Sequence, residues 1–301
     1  MKHLLSIKDL SQTQLLDLLV LAKDIKTHPE NYRKALDGKS VVMLFEKPSL
    51  RTRVSFDIGI NKLGGHCLYL DQQNGALGKR EPIADFAGNI SCWADAIVAR
   101  TFLHSTIECL AEHGSVPVIN ALSDLYHPCQ GLADFLTLSE QFDDLSQVKL
   151  AYVGDGNNVT HSLMYGAAIL GISLTVMCPL GQFPDGQVVF EAQALAKQHG
   201  GELILTSNID DIVNHDAIYT DTWISMGDNV DLAEIEAKFK PYQVNQAMME
   251  KAGAQYFMHC LPAYRGVEAS GEVVDGEGSL IFQQAENRMH AQNAVLVTLL
   301  A

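Results

Sequence analysis

Residues 49–53 read Ser-Leu-Arg-Thr-Arg and stand directly behind the apolar run 41–45. A strand that ends in a hydroxyl residue and then opens a helix leaves the first backbone N–H groups without intrahelical acceptors. Ser49 can cap that helix. The amides beginning at Leu50 then join the positive end of the helix dipole in an anion pocket. Arg51 adds a planar fork of donors matched to phosphate oxygens, and Thr52 adds a hydroxyl on the same turn. Other polar clusters follow apolar runs of strand length in the same way. Arg100 follows 96–99, and His127-Pro128-Cys129-Gln130 comes shortly after 116–121. Gly154-Asp155-Gly156-Asn157-Asn158 follows 148–153, Asp221 follows 216–220, and His259-Cys260-Leu261-Pro262 follows 255–258. His127 as a neutral imidazole could donate to a carbonyl oxygen, while Gln130, one helical turn later, contacts an attached amine.

Each cluster also has an ordinary structural reading. Ser49 would cap a surface helix, Arg51 and Arg100 would be solvated, and His127 would be a satisfied loop residue. Cys260 would be a small core group, and Arg288, in Glu286-Asn287-Arg288, would pair with a surface carboxylate. Gly154-Asp155-Gly156 starts like a dinucleotide fingerprint, but Val159 stands where the third glycine belongs. Asn157 and Asn158 suit recognition of a polar ligand instead. His127, His161, His215 and His259 lack the close pairing of a zinc or iron site, so no metal is expected. A Gly-x-Ser-x-Gly elbow is absent, which removes the hydrolase reading.

Short apolar strands and helical runs must position these groups. The pattern predicts helices at 4–26, 50–63, 83–93, 106–113 and 130–141, with strands at 41–45, 66–70, 96–99 and 116–121. A break at 143–146 follows. The alternation then restarts, with strands at 148–153, 173–177, 202–205, 216–220 and 255–258. Helices are expected at 159–170, 188–199, 232–239, 244–252 and 286–300. Such alternation means α/β architecture: two domains, each an open parallel sheet flanked by helices. The expected division is 1–135 and 148–284, with the C-terminal helix, 285–301, packing back on the first domain. Ligands in open α/β sheets bind beyond the carboxyl ends of the strands. Six polar clusters at such ends, spread over both halves, point to a cleft between the sheets.

Composition narrows the classes. Against 36 Asp and Glu stand 21 Lys and Arg, a net charge of −15, which argues against nucleic acid or an anionic membrane as partner. No stretch reaches eighteen uninterrupted apolar residues, and residues 1–9 lack the apolar core of a secretory leader. Six cysteines without metal-site spacing read as reduced thiols in a cytoplasmic protein.

The motif Phe45-Glu46-Lys47-Pro48-Ser49-Leu50-Arg51-Thr52-Arg53, with His127-Pro128-Cys129-Gln130 and His259-Cys260-Leu261-Pro262, resembles the aspartate/ornithine carbamoyltransferase family. The likeness runs the length of the chain. Asp221-Thr222-Trp223-Ile224-Ser225-Met226-Gly227 is similar to the loop of the ornithine-using branch. The resemblance implies carbamoyl transfer from carbamoyl phosphate to the δ-amine of L-ornithine, with no metal or organic cofactor. It implies phosphate binding by Ser49, Leu50 through its N–H, Arg51 and Thr52. Polarisation of the carbamoyl carbonyl falls to Arg100, Thr52 and His127, with Gln130 on the amine and Pro128 and Cys129 beside it. Asn158, Asp221, Ser225 and Met226 would hold ornithine, and Cys260, Leu261 and Arg288 would line the reacting centre. Arg100, His127, Asp221, Cys260 and Arg288 form the expected catalytic set. The family also implies a homotrimer, or multiples of trimers, whose neighbours contribute the loop 74–80. Here Ala76 departs from the usual Gln or His. Related enzymes for N-acetylornithine, N-succinylornithine or putrescine, and a catalytically silent amino-acid-binding relative, are the rival readings.

Overall fold

The computed structural model describes residues 1–71, 77–224 and 232–301. They fold as two units, Met1–Leu136 with Asn287–Ala301, and Thr137–Glu286. Among the described residues no helix is long and apolar enough to cross a membrane.

The first unit opens with helix α1 (Gln12–Thr27), then alternates β1 (Ser40–Phe45), α2 (Leu50–Lys62), β2 (His66–Leu70) and α3 (Ile83–Ile90). It continues through β3 (Ala96–Arg100), α4 (His104–His113) and β4 (Val118–Leu122) into α5 (Pro128–Ser139). All pairings are parallel and the strand order is β2-β1-β3-β4. β1 and β3 are buried almost throughout, as befits strands covered by helices on both faces. Leu44, Ile97, Ala99, Ile107, Leu110 and Val118 pack together on one side of the sheet. The sequence pattern carries the first helix back to residue 4, whereas α1 begins at Gln12 with a reciprocal Ser11–Gln14 capping box. Leu4 instead pairs with Ile119, its N–H donating to the Val118 carbonyl. The apolar residues before Ser11 fit a helical period, but the cap and the open edge of β4 claim them. β4 also starts two residues later than the pattern suggests, after Pro117, which has no N–H for a ladder.

The second unit runs β5 (Lys149–Val153), α6 (Asn158–Leu170), β6 (Ser173–Met177), α7 (Gly186–His199) and β7 (Leu203–Thr206). β8 (Ala217–Thr220), α8 (Leu232–Phe239), α9 (Gln246–Ala252), β9 (Tyr256–His259) and a single turn, α10 (Gly271–Val274), complete it. Its five strands are parallel in the order β7-β6-β5-β8-β9. The final helix α11 (Ile281–Leu300) starts five residues before the sequence pattern places it. From Asn287 onward it belongs to the first unit, where Lys26 Nζ donates to Asn287 Oδ1 at 2.7 Å.

Each sheet reverses direction once. In the first, the chain goes from β1 to β2 on one side and returns to β3 on the other. In the second, the reversal lies between β5 and β8. Beyond the carboxyl ends of the strands flanking such a reversal, connecting loops diverge and leave a crevice. Residues 46–52 and Arg100 occupy that place in the first unit. Residues 154–158 and Asp221 occupy it in the second.

Candidate active site

In the first unit, β1 delivers the chain into the N-terminus of α2. Ser49 is its N-cap, and its Oγ accepts from the Thr52 amide at 3.3 Å. The amides of Leu50 and Arg51 precede the first intrahelical bond and face outward with the positive dipole end. The loops after β1 and β3 are tied together. Glu46 N–H donates to the Arg100 carbonyl at 2.8 Å, and Glu46 Oε2 accepts from Phe102 N–H at 3.0 Å. Register places Arg100 beside Phe45, at the same sheet edge as the α2 N-terminus.

Arg288 reaches this point from α11. Its two terminal nitrogens donate to Thr52 Oγ1 at 2.5 Å and Gln130 Oε1 at 3.2 Å, and one stands 3.4 Å from His127 Nε2. Arg288 is 7% exposed and Arg100 4%. Burial lowers the Arg100 pKa to about 10, and the positive charge of Arg288 adds to the effect. Two buried like charges raise each other's energy in a medium of low dielectric, and an anion between them reverses that sign. His127 is buried, and its pKa lies well below the ordinary imidazole value. Burial is the main cause, followed by the charges of Arg288 and then Arg100. The ring is therefore neutral at physiological pH. Fold and contacts thus bring Thr52, Arg100, His127, Gln130 and Arg288 together, with Ser49 and the Leu50 amide on the adjoining turn. Arg51 lies on that turn as an exposed side chain. Arg53, its neighbour in the motif, stacks on Tyr69 at 3.9 Å and serves packing. Cys129 is a core group whose thiol donates to the Asn120 carbonyl at 3.4 Å, and burial pushes its pKa up to about 12. Only the backbone of Pro128 and Cys129 is suited to a ligand contact.

In the second unit the Asp221 carboxylate is the focus. Oδ1 accepts from the Cys260 thiol at 2.9 Å and the Thr222 amide at 2.7 Å, and Oδ2 from Asn157 Nδ2 at 3.0 Å. Asn157 also caps α6 with its Oδ1. The glycine before it sits where a Cβ would fall 2.2 Å from the Pro184 nitrogen. Close approach to the 182–184 backbone explains Gly156 without any dinucleotide. Cys260 and Leu261 are set by a buried pair. His259 Nε2 lies 3.1 Å from Glu268 Oε1, and His259 Nδ1 accepts from the Leu261 amide at 2.9 Å. Leu261 is held at φ +60°, which costs a residue with a side chain about 1–3 kcal/mol. Asn158 opens α6 half-buried. Ser225, Met226 and Ala76 lie outside the described residues.

Spacing along the chain did not foretell that ligand atoms of Asp221, His259 and Cys260 lie within 4.8 Å of one another. The donor set nonetheless fits a cation poorly. Both His259 nitrogens are already engaged, by the Leu261 amide and by Glu268, so a metal would have to break one of those contacts. Of the groups that position these side chains, Glu268 lay outside every motif, and Glu46 stood inside the first one with nothing there to assign it a role.

A sheet reversal ringed by buried guanidiniums, and a second that holds an oriented carboxylate and thiol, define a two-domain α/β protein built around small charged ligands. The chain belongs to the aspartate/ornithine carbamoyltransferase family. Residues 2–140 match the model of its carbamoyl-P binding domain and residues 146–299 that of its Asp/Orn binding domain. The second match runs on to residue 299, whereas packing assigns the residues from Asn287 to the first unit. For the site, the packing is what counts, because it is what brings Arg288 to Thr52. Ornithine carbamoyltransferase of Shewanella oneidensis is 76% identical over 299 residues, covering 99% of both chains. That of Moritella abyssi is 63% identical over the full length of both. Among solved structures, ornithine carbamoyltransferase from Pyrococcus furiosus superposes with a TM-score of 0.96 at 42% identity, over 99% of this chain and 97% of that one.

Proposed function

We propose that the protein transfers the carbamoyl group of carbamoyl phosphate to the δ-amine of L-ornithine, giving L-citrulline and phosphate. The observation that carries this reading is the buried pair Arg100 and Arg288, of which Arg288 bonds to Thr52 and Gln130 beside His127, in the unit that contains the residues matched to the carbamoyl-P binding domain. Residues 1–135 with 285–301 bind carbamoyl phosphate, and residues 148–284 bind ornithine. The Leu50 and Arg51 amides, Ser49, Arg51 and Thr52 take the phosphate. Arg100, His127 and Thr52 face the carbamoyl oxygen, Gln130 faces its amine, and Arg288 spans both ends. The δ-nitrogen bonds to the carbamoyl carbon, negative charge builds on the carbonyl oxygen, and the bond to the phosphate oxygen breaks. Donors aimed at that developing charge contribute about 3–4 kcal/mol each. A neutral His127 gives one N–H without adding a third charge to the guanidinium pair.

An amine of this kind carries a proton below a pKa of about 10, so attack needs its removal. Asp221 and Cys260, whose thiol donates to Asp221 Oδ1 at 2.9 Å, are the groups we assign to positioning and deprotonating the amine, with Asn157 fixing the carboxylate. Asn158, Ser225 and Met226 take the α-amino and α-carboxylate end. No covalent enzyme intermediate and no cofactor is required. The reaction exchanges an acyl phosphate for a more stable ureido group, and we propose a biosynthetic role. A homotrimer is supported by an apolar stripe on α2, Leu50, Val54 and Ile58, left 76%, 44% and 46% exposed at helical spacing. Six cysteines, none in a disulfide, support a reducing cytoplasmic setting. The test is steady-state citrulline formation with ornithine, N-acetylornithine, N-succinylornithine and putrescine offered separately. Ornithine should give the highest kcat/KM. Preference for another amine overturns the substrate, and ornithine binding without turnover overturns the activity.

A further inference from the structure

Gln130 is held from both ends. Its Oε1 accepts from Arg288 at 3.2 Å, and its Nε2 donates to Asp134 Oδ1 at 2.8 Å. Asp134 lies one turn further along α5 and is 0% exposed. A guanidinium can only donate and a carboxylate can only accept. Between them they admit one orientation of the Gln130 amide, with its NH2 on Asp134 and its carbonyl oxygen toward Arg288, Thr52 and His127. A carbonyl oxygen has two lone pairs, and Arg288 uses one. Burying a carboxylate is expensive unless its contacts repay the lost hydration, so an aspartate here does something an apolar residue of similar size would not.

We propose that Asp134 is the positioning residue that makes Gln130 a reader of the carbamoyl NH2 group. By holding the amide from behind, it presents a fixed acceptor to the acyl end of the ligand. An N–H is accepted there, and a methyl group in its place leaves the oxygen unpaired. The inference rests on the proposed role of Gln130. Its consequence is selection of carbamoyl phosphate over acetyl phosphate, which matches it in the phosphate and the carbonyl and differs only at that group. Sites that hydrogen-bond a substrate N–H reject analogues lacking it by roughly 10⁴-fold or more.

The experiment measures kcat/KM for carbamoyl phosphate and acetyl phosphate with ornithine, reading citrulline or N-δ-acetylornithine with one phosphate released per turnover. Asp134→Ala should lower the selectivity ratio about 10- to 100-fold while leaving inhibition by inorganic phosphate within about twofold. Asp134→Asn, which keeps an acceptor oxygen at the same place, should return the ratio to within about threefold of wild type. In a Gln130→Met background, which itself lowers the ratio, Asp134→Ala should lower it no further. If the alanine variant does not fold, Asp134→Leu fills the site without an acceptor and reads the same ratio. An unchanged ratio in the folded variant, or a phosphate constant that weakens in step with carbamoyl phosphate, overturns the inference while the enzyme's activity stands. A wild-type protein that forms no citrulline overturns the proposed function and this inference with it.

Discussion

His127 shows how far one residue's surroundings decide its use. Its types of partner were legible in the motif, but its neutrality comes from burial and two guanidiniums that arrive from β3 and α11. The depressed pKa has a consequence for stability with a definite sign. Below the ordinary 6.5 the unfolded chain takes up a proton at this position that the folded protein refuses, so stability falls as pH drops through and below 6.5 and is unaffected above it. In His127→Asn this contribution disappears. Denaturant unfolding between pH 8 and pH 5 should then show a smaller acid loss than wild type, by at most about 1.4 kcal/mol per pH unit below 6.5. The same variant should lose about 10²–10³ in kcat, the cost typical of removing one oxyanion donor. Equal acid sensitivity in the two proteins would mean that His127 is not the group refusing the proton. Ser49 was readable as a cap because hydroxyl residues before a helix satisfy its amides locally. Asp134 was readable only in part: its i+4 spacing from Gln130 on the expected helix 130–141 puts the two side chains together, but nothing nearby in the sequence says that the carboxylate is buried.

At the scale of elements, the site depends on how closely α2 and α11 approach. A Cβ on Gly59 would lie 2.3 Å from Asn293 Oδ1 and 3.3 Å from the Cγ of Met289, the residue after Arg288 on α11. Gly59→Ala should therefore push the two helices apart and stretch the bond from Arg288 to Thr52. Overpacking of this kind costs about 1–3 kcal/mol. We expect a lower midpoint in thermal unfolding together with a raised KM for carbamoyl phosphate and an unchanged KM for ornithine. A KM increase confined to ornithine would contradict the placement of Arg288. Element type was largely visible in the alternation of short apolar runs with helical periods. Boundaries were less so. The first helix yields its expected start to a strand-edge pairing at Leu4, and α11 extends back to Ile281. In both cases a contact remote in sequence overrode the local period.

For the whole molecule, −15 of net charge makes the concentration of guanidinium groups at one sheet reversal the decisive electrostatic feature. Three of the seven arginines, Arg51, Arg100 and Arg288, stand at or beside it. The assembly we propose is tested by sedimentation velocity, which should give a species three times the chain mass of 32.9 kDa. Val54→Glu with Ile58→Glu, placed on the exposed face of α2, should shift it toward monomer and lower activity. A wild-type monomer that remains fully active would remove both the trimer and the neighbour's loop at 74–80 from the account.

By itself the sequence determined the strand–helix alternation, the caps and the ordered motifs, because each is written within a few residues by periodicity, hydroxyl capping and glycine. Tertiary structure alone decided which groups meet. Arg288 bonds to Thr52 across 236 positions and Cys260 to Asp221 across 39. Those meetings follow from strand order and from the return of α11, and both arise from burying apolar faces that can be far apart in the chain.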